Sequence, residues 1–265
     1  MSRPIGVFDS GVGGLTVLKA LRRRLPSQDF IYFSDTARVP YGRKPKEMVQ
    51  GFASEIASFL EQLDVSAIVV ACNTASAFAL PELANEVSVP VWGVIDPGVE
   101  AARRATRTGN VGVIGTKGTI ASGVYQRKLE AAGLVVWGRA CPMFVHLVEE
   151  GMADSDETRV LTRHYLRDMP AIDTLILGCT HYPVLAPVIQ EAVGNAVQLV
   201  SSADVTAETV AASVGGAVGS GRVTHYVTGG VPAYQHTAEV IGGVEGRVIP
   251  LDVTRLADAG VRVRG

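Results

Sequence analysis

The chain has 265 residues, 47% of them hydrophobic, and 24 Lys and Arg against 26 Asp and Glu leave a net charge of −2. It is long enough to bury a sizeable core without staples, and it carries no basic surplus that would argue for nucleic acid or an anionic membrane as partner. Its three cysteines, at 72, 141 and 179, are odd in number and include no CxxC pair, which fits neither a disulfide framework nor a zinc knuckle and suits a reducing compartment.

The opening MSRPIGVFDSG lacks the apolar stretch of a signal peptide. IGVF (5–8) reads as a first strand, and the glycine-rich DSGVGG (9–14) leads into an amphipathic helix, GLTVLKALRRRL (14–25). That loop resembles a dinucleotide fingerprint, but Thr16 stands where the third glycine belongs and no Walker lysine follows. Its leading Asp9 repels phosphate and welcomes an ammonium. Next come DFIYF (29–33), a helical stretch at 46–63, AIVVA (67–71) and VPVWGVI (89–95), closed by Asp96-Pro97-Gly98, which reads as a turn. NVGVIG (110–115), LVVWG (134–138), a helix over 156–169, DTLILG (173–178) and VQLV (197–200) repeat the alternation. An Ala-rich helix at about 206–214, a glycine-rich loop, THYVT (224–228) and RVIPL (247–251) complete the chain. No apolar run approaches the ~18 residues of a membrane span, so the protein reads as soluble and cytoplasmic.

Short apolar strands alternating with amphipathic helices call for parallel sheets covered on both faces, hence an α/β fold. The alternation also repeats internally. Gly6 aligns with Gly112 at a shift of 106, Cys72 with Cys179 at 107 and Val91 with Val197 at 106. The sequence therefore predicts two pseudo-symmetric doubly wound domains with mainly parallel sheets and a site in the cleft between them. The first would be discontinuous, residues 1–97 plus 207–265; the second would span 98–206, with nothing after 206 belonging to the repeat.

In such sheets ligands bind beyond the carboxyl ends of the strands. The residues there are Asp9 and Ser10; Tyr41 and Gly42; Cys72, Asn73 and Thr74; and Cys179, Thr180 and His181, the last two groups each opening a helix. Two thiols at equivalent places in two facing halves suit inversion of a carbon stereocentre, where one group takes a proton from one face and another delivers one to the opposite face. Deprotonating a thiol of ordinary pKa at pH 7 costs about 2 kcal/mol, and a helix N-terminus offsets ~0.3–2 kcal/mol of it. His181 is placed to supply more, and Asp9 to orient or shuttle a proton beside Cys72. Cys141, in ACPMF, has no repeat partner and reads as structural, while His146 and His164 read as surface or packing residues. A zinc site from Cys72, Cys179 and His181 lacks the usual close-spaced ligand pair, so no metal is expected.

DSGVGGLTVL (9–18), ARVPYG (37–42), ACNTAS (71–76), FVHLVEEG (144–151) and LGCTHYP (177–183) closely resemble, in order, the motifs of the glutamate racemases, within the aspartate/glutamate racemase superfamily. The resemblance implies an isomerase that interconverts L- and D-glutamate without cofactor or metal and supplies D-glutamate for peptidoglycan, hence cell-wall biogenesis and cell shape. It implies Cys72 as the base toward the D isomer and Cys179 toward the L isomer, with Asp9, His181 and Glu149 as auxiliary catalytic groups. Asp9, Ser10, Tyr41, Gly42, Asn73, Thr74, Thr180 and His181 become substrate-binding residues, with Thr116 and Thr119 touching a carboxylate. His146 departs from the Pro or apolar residue expected there, and a homodimer is implied. The rival readings are a racemase of another acid such as aspartate, a cysteine amidase working through a thioester, and a nucleotide-binding module. An amidase leaves the second symmetric cysteine unexplained.

Overall fold

The computed structural model describes residues 3–214, 219–254 and 256; the glycine-rich loop of the sequence reading lies partly outside them. All ten apolar runs form strands: β1 Ile5–Asp9, β2 Phe30–Ser34, β3 Ala67–Val70, β4 Val91–Gly93, β5 Asn110–Gly115, β6 Val135–Ala140, β7 Thr174–Gly178, β8 Gln198–Ser201, β9 Val223–Val227 and β10 Arg247–Pro250. They assemble into two sheets, in the orders β10-β9-β2-β1-β3-β4 and β6-β5-β7-β8, with every pairing parallel. The order 2-1-3-4 of the first sheet recurs as 6-5-7-8 in the second, so the internal repeat is a repeat of topology. Central strands β1, β3 and β7 are buried along their whole length, which is why they read as unbroken apolar runs.

Between the strands run the helices α1 Leu15–Arg24, α2 Lys46–Gln62, α3 Asn73–Glu86, α4 Ile95–Ala105, α5 Lys117–Ala121, α6 Val124–Ala131, α7 Met143–Glu149, α8 Asp156–Leu166, α9 Ala186–Val193, α10 Ser202–Val214 and α11 Val231–Val240. Several start where local chemistry dictates. Ser155 caps α8 by accepting from the Thr158 amide at 3.2 Å, with Asp156 and Glu157 complementing the dipole in the first turn. Thr116 caps α5 in the same way through the Thr119 amide.

Two sequence expectations are corrected. Asp96-Pro97-Gly98 is not a turn but the first turn of α4. The first amides of a helix have no intrahelical acceptor, so Pro97 forfeits nothing there, and Asp96 sits favourably at the positive end. The helix expected at about 206 begins at Ser202, directly after β8, and stands 107 residues after Ile95, the shift that relates the two cysteines. The repeat thus runs on through α10. These two helices are largely exchanged: α4 leaves the first sheet and packs on β7, β8 and α6, whereas α10 packs chiefly on α1 of the first half and against α4, touching β4 and β7 alike. Each half contributes a helix to the other, and the carboxyl ends of both sets of strands face one cleft.

Candidate active site

Strand register brings the chemistry to one level. Asp9 at the tip of β1 pairs with Ser34 at the tip of β2, and β3 ends two residues before Cys72. In the second sheet Gly115 pairs with both Ala140 and Gly178, so Thr116 and Cys179 emerge side by side. The residues that follow these tips enclose a cavity of about 110 Å³, the size for a small metabolite rather than a nucleotide. Its walls come from the first half through Ser10, Gly11, Val39 to Gly42 and Cys72 to Thr74, and from the second through Thr116, Val145, His146, Glu149 and Cys179 to His181.

Cys72 is the N-cap of α3, its sulfur accepting from the Ala75 amide at 3.5 Å and its thiol donating to Ser10 Oγ at 3.7 Å. Burial, reinforced by Asp9 and more weakly by Cys179, outweighs these two contacts and pushes the thiol up to about 12. Cys72 is therefore a protonated sulfur at neutral pH. Its counterpart has different surroundings. The helix that Cys179 leads into, as the sequence suggested, begins as a 3-10 turn at Tyr182–Leu185, and the Cys179 sulfur lies 3.9 Å from His181 Nδ1. His181 Nε2 is bonded to Glu149 Oε1 at 2.9 Å. Burial works against a charge on this ring, but its bonds to Cys179 and Glu149 more than offset it and hold the pKa up at about 10. An imidazolium thus stands beside Cys179, where it stabilises negative sulfur.

Asp9 is fully buried behind the Ser10–Gly11 wall and is not itself exposed to the cavity. Its Oδ2 accepts from the Gly11 amide at 3.0 Å, while Oδ1 has no hydrogen-bond partner. Burial raises its pKa despite His181 and the amides of Gly11, Gly14 and Ser10. The loop glycines are there for close approach: a Cβ on Gly13 would lie 2.3 Å from Thr180 Oγ1 and 2.5 Å from the His181 ring. That contact joins the DSGVGG loop to the Cys179 loop, and Thr16 Oγ1 adds a 3.0 Å bond to the Thr180 carbonyl.

Among the remaining candidates, Tyr41 lines the cavity, but its hydroxyl donates to the buried Asp35, whose carboxylate also accepts from Arg38 Nε at 2.7 Å and Thr228 at 2.9 Å. What Tyr41 and Gly42 offer the cavity is consequently ring and backbone. Thr74, Thr116 and Thr119 form a triangle of hydroxyls at 2.9 to 3.2 Å that bridges the halves, with Thr119 behind the other two. Asn73 lines the wall with an Nδ2 that has no partner. Cys141 is buried away from the cavity, its carbonyl accepting from Tyr182, and His164 borders a separate surface groove. His146 corrects the sequence reading: exposed as expected, it nonetheless lies on the cavity rim, one helical turn before Glu149 on α7. The three-residue spacing from Glu149 was the signal that could have placed it.

In sequence and fold the chain is similar to proteins of one family. The profile of the Asp/Glu/Hydantoin racemase family matches residues 5–210. A glutamate racemase of Thermus thermophilus is 54% identical over 245 residues, covering 90% of this chain and 92% of the relative. The crystal structure of glutamate racemase from Thermus thermophilus in complex with β-chloro-D-alanine superposes with a TM-score of 0.89 at 50% identity, covering 96% of this chain and 98% of that one. The Francisella tularensis glutamate racemase in complex with D-glutamate gives 0.84 at 33% identity, over 95% and 97% of the two chains.

Proposed function

The chain belongs to the Asp/Glu/Hydantoin racemase family, and we propose that it interconverts L- and D-glutamate by proton transfer between two cysteines, without a cofactor. The observation that carries this reading is the pair of buried thiols, one from each half of a duplicated fold, lining a single small cavity. In the L-to-D direction, Cys179 Sγ takes the α-proton, leaving the electron pair on the α carbon and its carboxylate. The Cys72 thiol then gives its proton to the opposite face of that carbon. The return reaction exchanges the roles, so a symmetric scaffold serves both. The asymmetry between the two thiols supports this start: Cys72 holds its proton while His181 stands ready to offset charge on Cys179.

Supporting groups follow from the same geometry. Asn73 Nδ2 offers a free donor to a carboxylate, joined by the hydroxyls of Ser10, Thr74, Thr116 and Thr180. Asp9, buried behind the cavity wall with one carboxylate oxygen lacking a partner, acts on Cys72 and keeps its thiol protonated. Glu149 supports the charge on His181. Abstracting a weakly acidic proton without an electron sink needs preorganised, largely dry surroundings, which the buried cysteines supply. The motif resemblance extends the reading to D-glutamate supply for peptidoglycan, a cytoplasmic location and a homodimer. Among the described residues no helix is long and apolar enough to cross a membrane.

The test is incubation of the purified protein with L-glutamate, no cofactor added, and chiral chromatography of the products, with L-aspartate in parallel. Accumulation of D-glutamate is expected. Inversion of aspartate alone, or release of ammonia, would overturn the proposal.

A further inference from the structure

Tyr125, on α6 in the second half of the fold, is fully buried, yet no step described so far uses it. Its hydroxyl donates to Asn73 Oδ1 at 2.8 Å, across the cleft to the residue that follows Cys72. Two glycines make room for the phenol. A Cβ on Gly98 would lie 3.3 Å from its oxygen, and one on Gly178, the residue before Cys179, would lie 3.3 Å from its ring. Tyr125 therefore touches the immediate neighbours of both cysteines. Burial, with weaker help from Asp96 and Cys179, drives its ionisation far above the ordinary range, so the phenol keeps the proton it donates to Asn73.

A carboxamide has one acceptor oxygen and one donor NH2, and whichever is claimed from behind decides which faces forward. Here the oxygen is claimed, and Nδ2 of the nearly fully buried Asn73 is left with no partner on the cavity wall. Flipped by 180°, the same side chain would present a carbonyl oxygen and repel an anion. We propose that Tyr125 is a positioning residue, whose hydroxyl fixes the Asn73 amide with its NH2 turned into the cavity as a donor to a substrate carboxylate. This rests on the function proposed above. Because Tyr125 and Asn73 belong to different halves, the donor is set only while the halves are together.

Tyr125→Phe removes one oxygen and keeps the ring between Gly98 and Gly178. We expect KM for both glutamate enantiomers to rise on the order of 10-fold, with kcat within about 3-fold, as for loss of one oriented hydrogen bond to a charged group. In an Asn73→Ala background the same substitution should change KM by less than about 2-fold, because the two act through one bond. An unchanged KM in the single variant, or an equal factor in both backgrounds, would overturn the inference. Should Tyr125→Phe fail to fold, the isosteric Asn73→Asp turns a carboxylate oxygen into the cavity and should raise KM beyond Asn73→Ala; a KM at or below that of Asn73→Ala contradicts the assignment. A readout independent of turnover is the side-chain amide NMR pair of Asn73 in ligand-free protein, identified by its loss in Asn73→Ala. It should shift in Tyr125→Phe, and an unshifted pair refutes the inference whatever the enzyme acts on. A shifted pair in a protein that leaves both glutamate enantiomers untouched would instead sink the proposed function and uphold the coupling.

Discussion

Replacing Glu149 with glutamine keeps an oxygen to accept from His181 Nε2 and removes only the charge, so it isolates the electrostatic part of the 2.9 Å contact. The histidine is buried and the glutamate side chain is about a third exposed, 6% and 32% respectively, so solvent screens the pair from the glutamate side only. A dielectric of about 40, twice that usual near a protein surface, therefore gives a lower bound on the interaction. With charge centres ~4 Å apart and a dielectric of about 40, the interaction is worth about 2 kcal/mol, roughly 1.5 pH units. His181, held at about 10 in the native protein, should then titrate near ~8.5. The ring stays protonated at pH 7, so turnover there should fall less than about 10-fold. On the alkaline side the variant should lose activity some 1.5 units earlier, because the imidazolium that supports Cys179 is present only below its own pKa. The assay is kcat for L-glutamate from pH 6 to 11, with circular dichroism confirming the fold. Stability carries the same sign. A raised histidine pKa contributes stability that is full below about 6.5 and lost as pH rises through about 10, so the variant should give it up at lower pH. Coincident alkaline limbs in the two proteins would refute the assigned role of Glu149.

Each sulfur is needed for inversion, so Cys72→Ser and Cys179→Ser should each lose at least ~10³-fold in racemisation at pH 7, measured by polarimetry, while binding of glutamate persists in calorimetry. Full activity in either variant contradicts a two-thiol scheme. Cys141→Ser, buried outside the cavity, should leave kcat/KM within about 3-fold and cost about 1–2 kcal/mol in denaturant unfolding. Gly13→Ala would drive a methyl into Thr180 Oγ1 and the His181 ring; kcat/KM should fall by ~100-fold or more with the protein still folded, and near-native activity would show that this loop contact does not set the site.

The strands were legible because a parallel strand buried on both faces must be written as an unbroken apolar run, as in AIVVA and DTLILG. The repeat was legible for the same reason, since constant shifts between buried runs survive where surface residues drift. What sequence could not show is the exchange of α4 and α10: a helix carries no mark of which sheet it will cover. Asp96-Pro97-Gly98 misled because its residues suit a turn and a helical first turn equally. Around the cavity, strand ends announced Asp9, Cys72 and Cys179, but the partners that tune them come from distant segments. Glu149 lies 32 residues before His181, and Tyr125 lies 52 after Asn73. Tyr41 illustrates a subtler loss: its place in ARVPYG pointed to the cavity, while the Asp35 that occupies its hydroxyl carried no signal of its own.

The most direct test of two sulfurs serving opposite faces of one carbon is early-phase isotope labelling. L-glutamate is incubated with the protein in D2O, and both enantiomers are separated and analysed by mass spectrometry before equilibrium. The account predicts D-glutamate carrying one solvent deuterium at the α carbon while the remaining L-glutamate keeps its protium. D-glutamate that retains the original proton, or L-glutamate labelled as fast as its mirror image appears, would mean that a single group handles both faces.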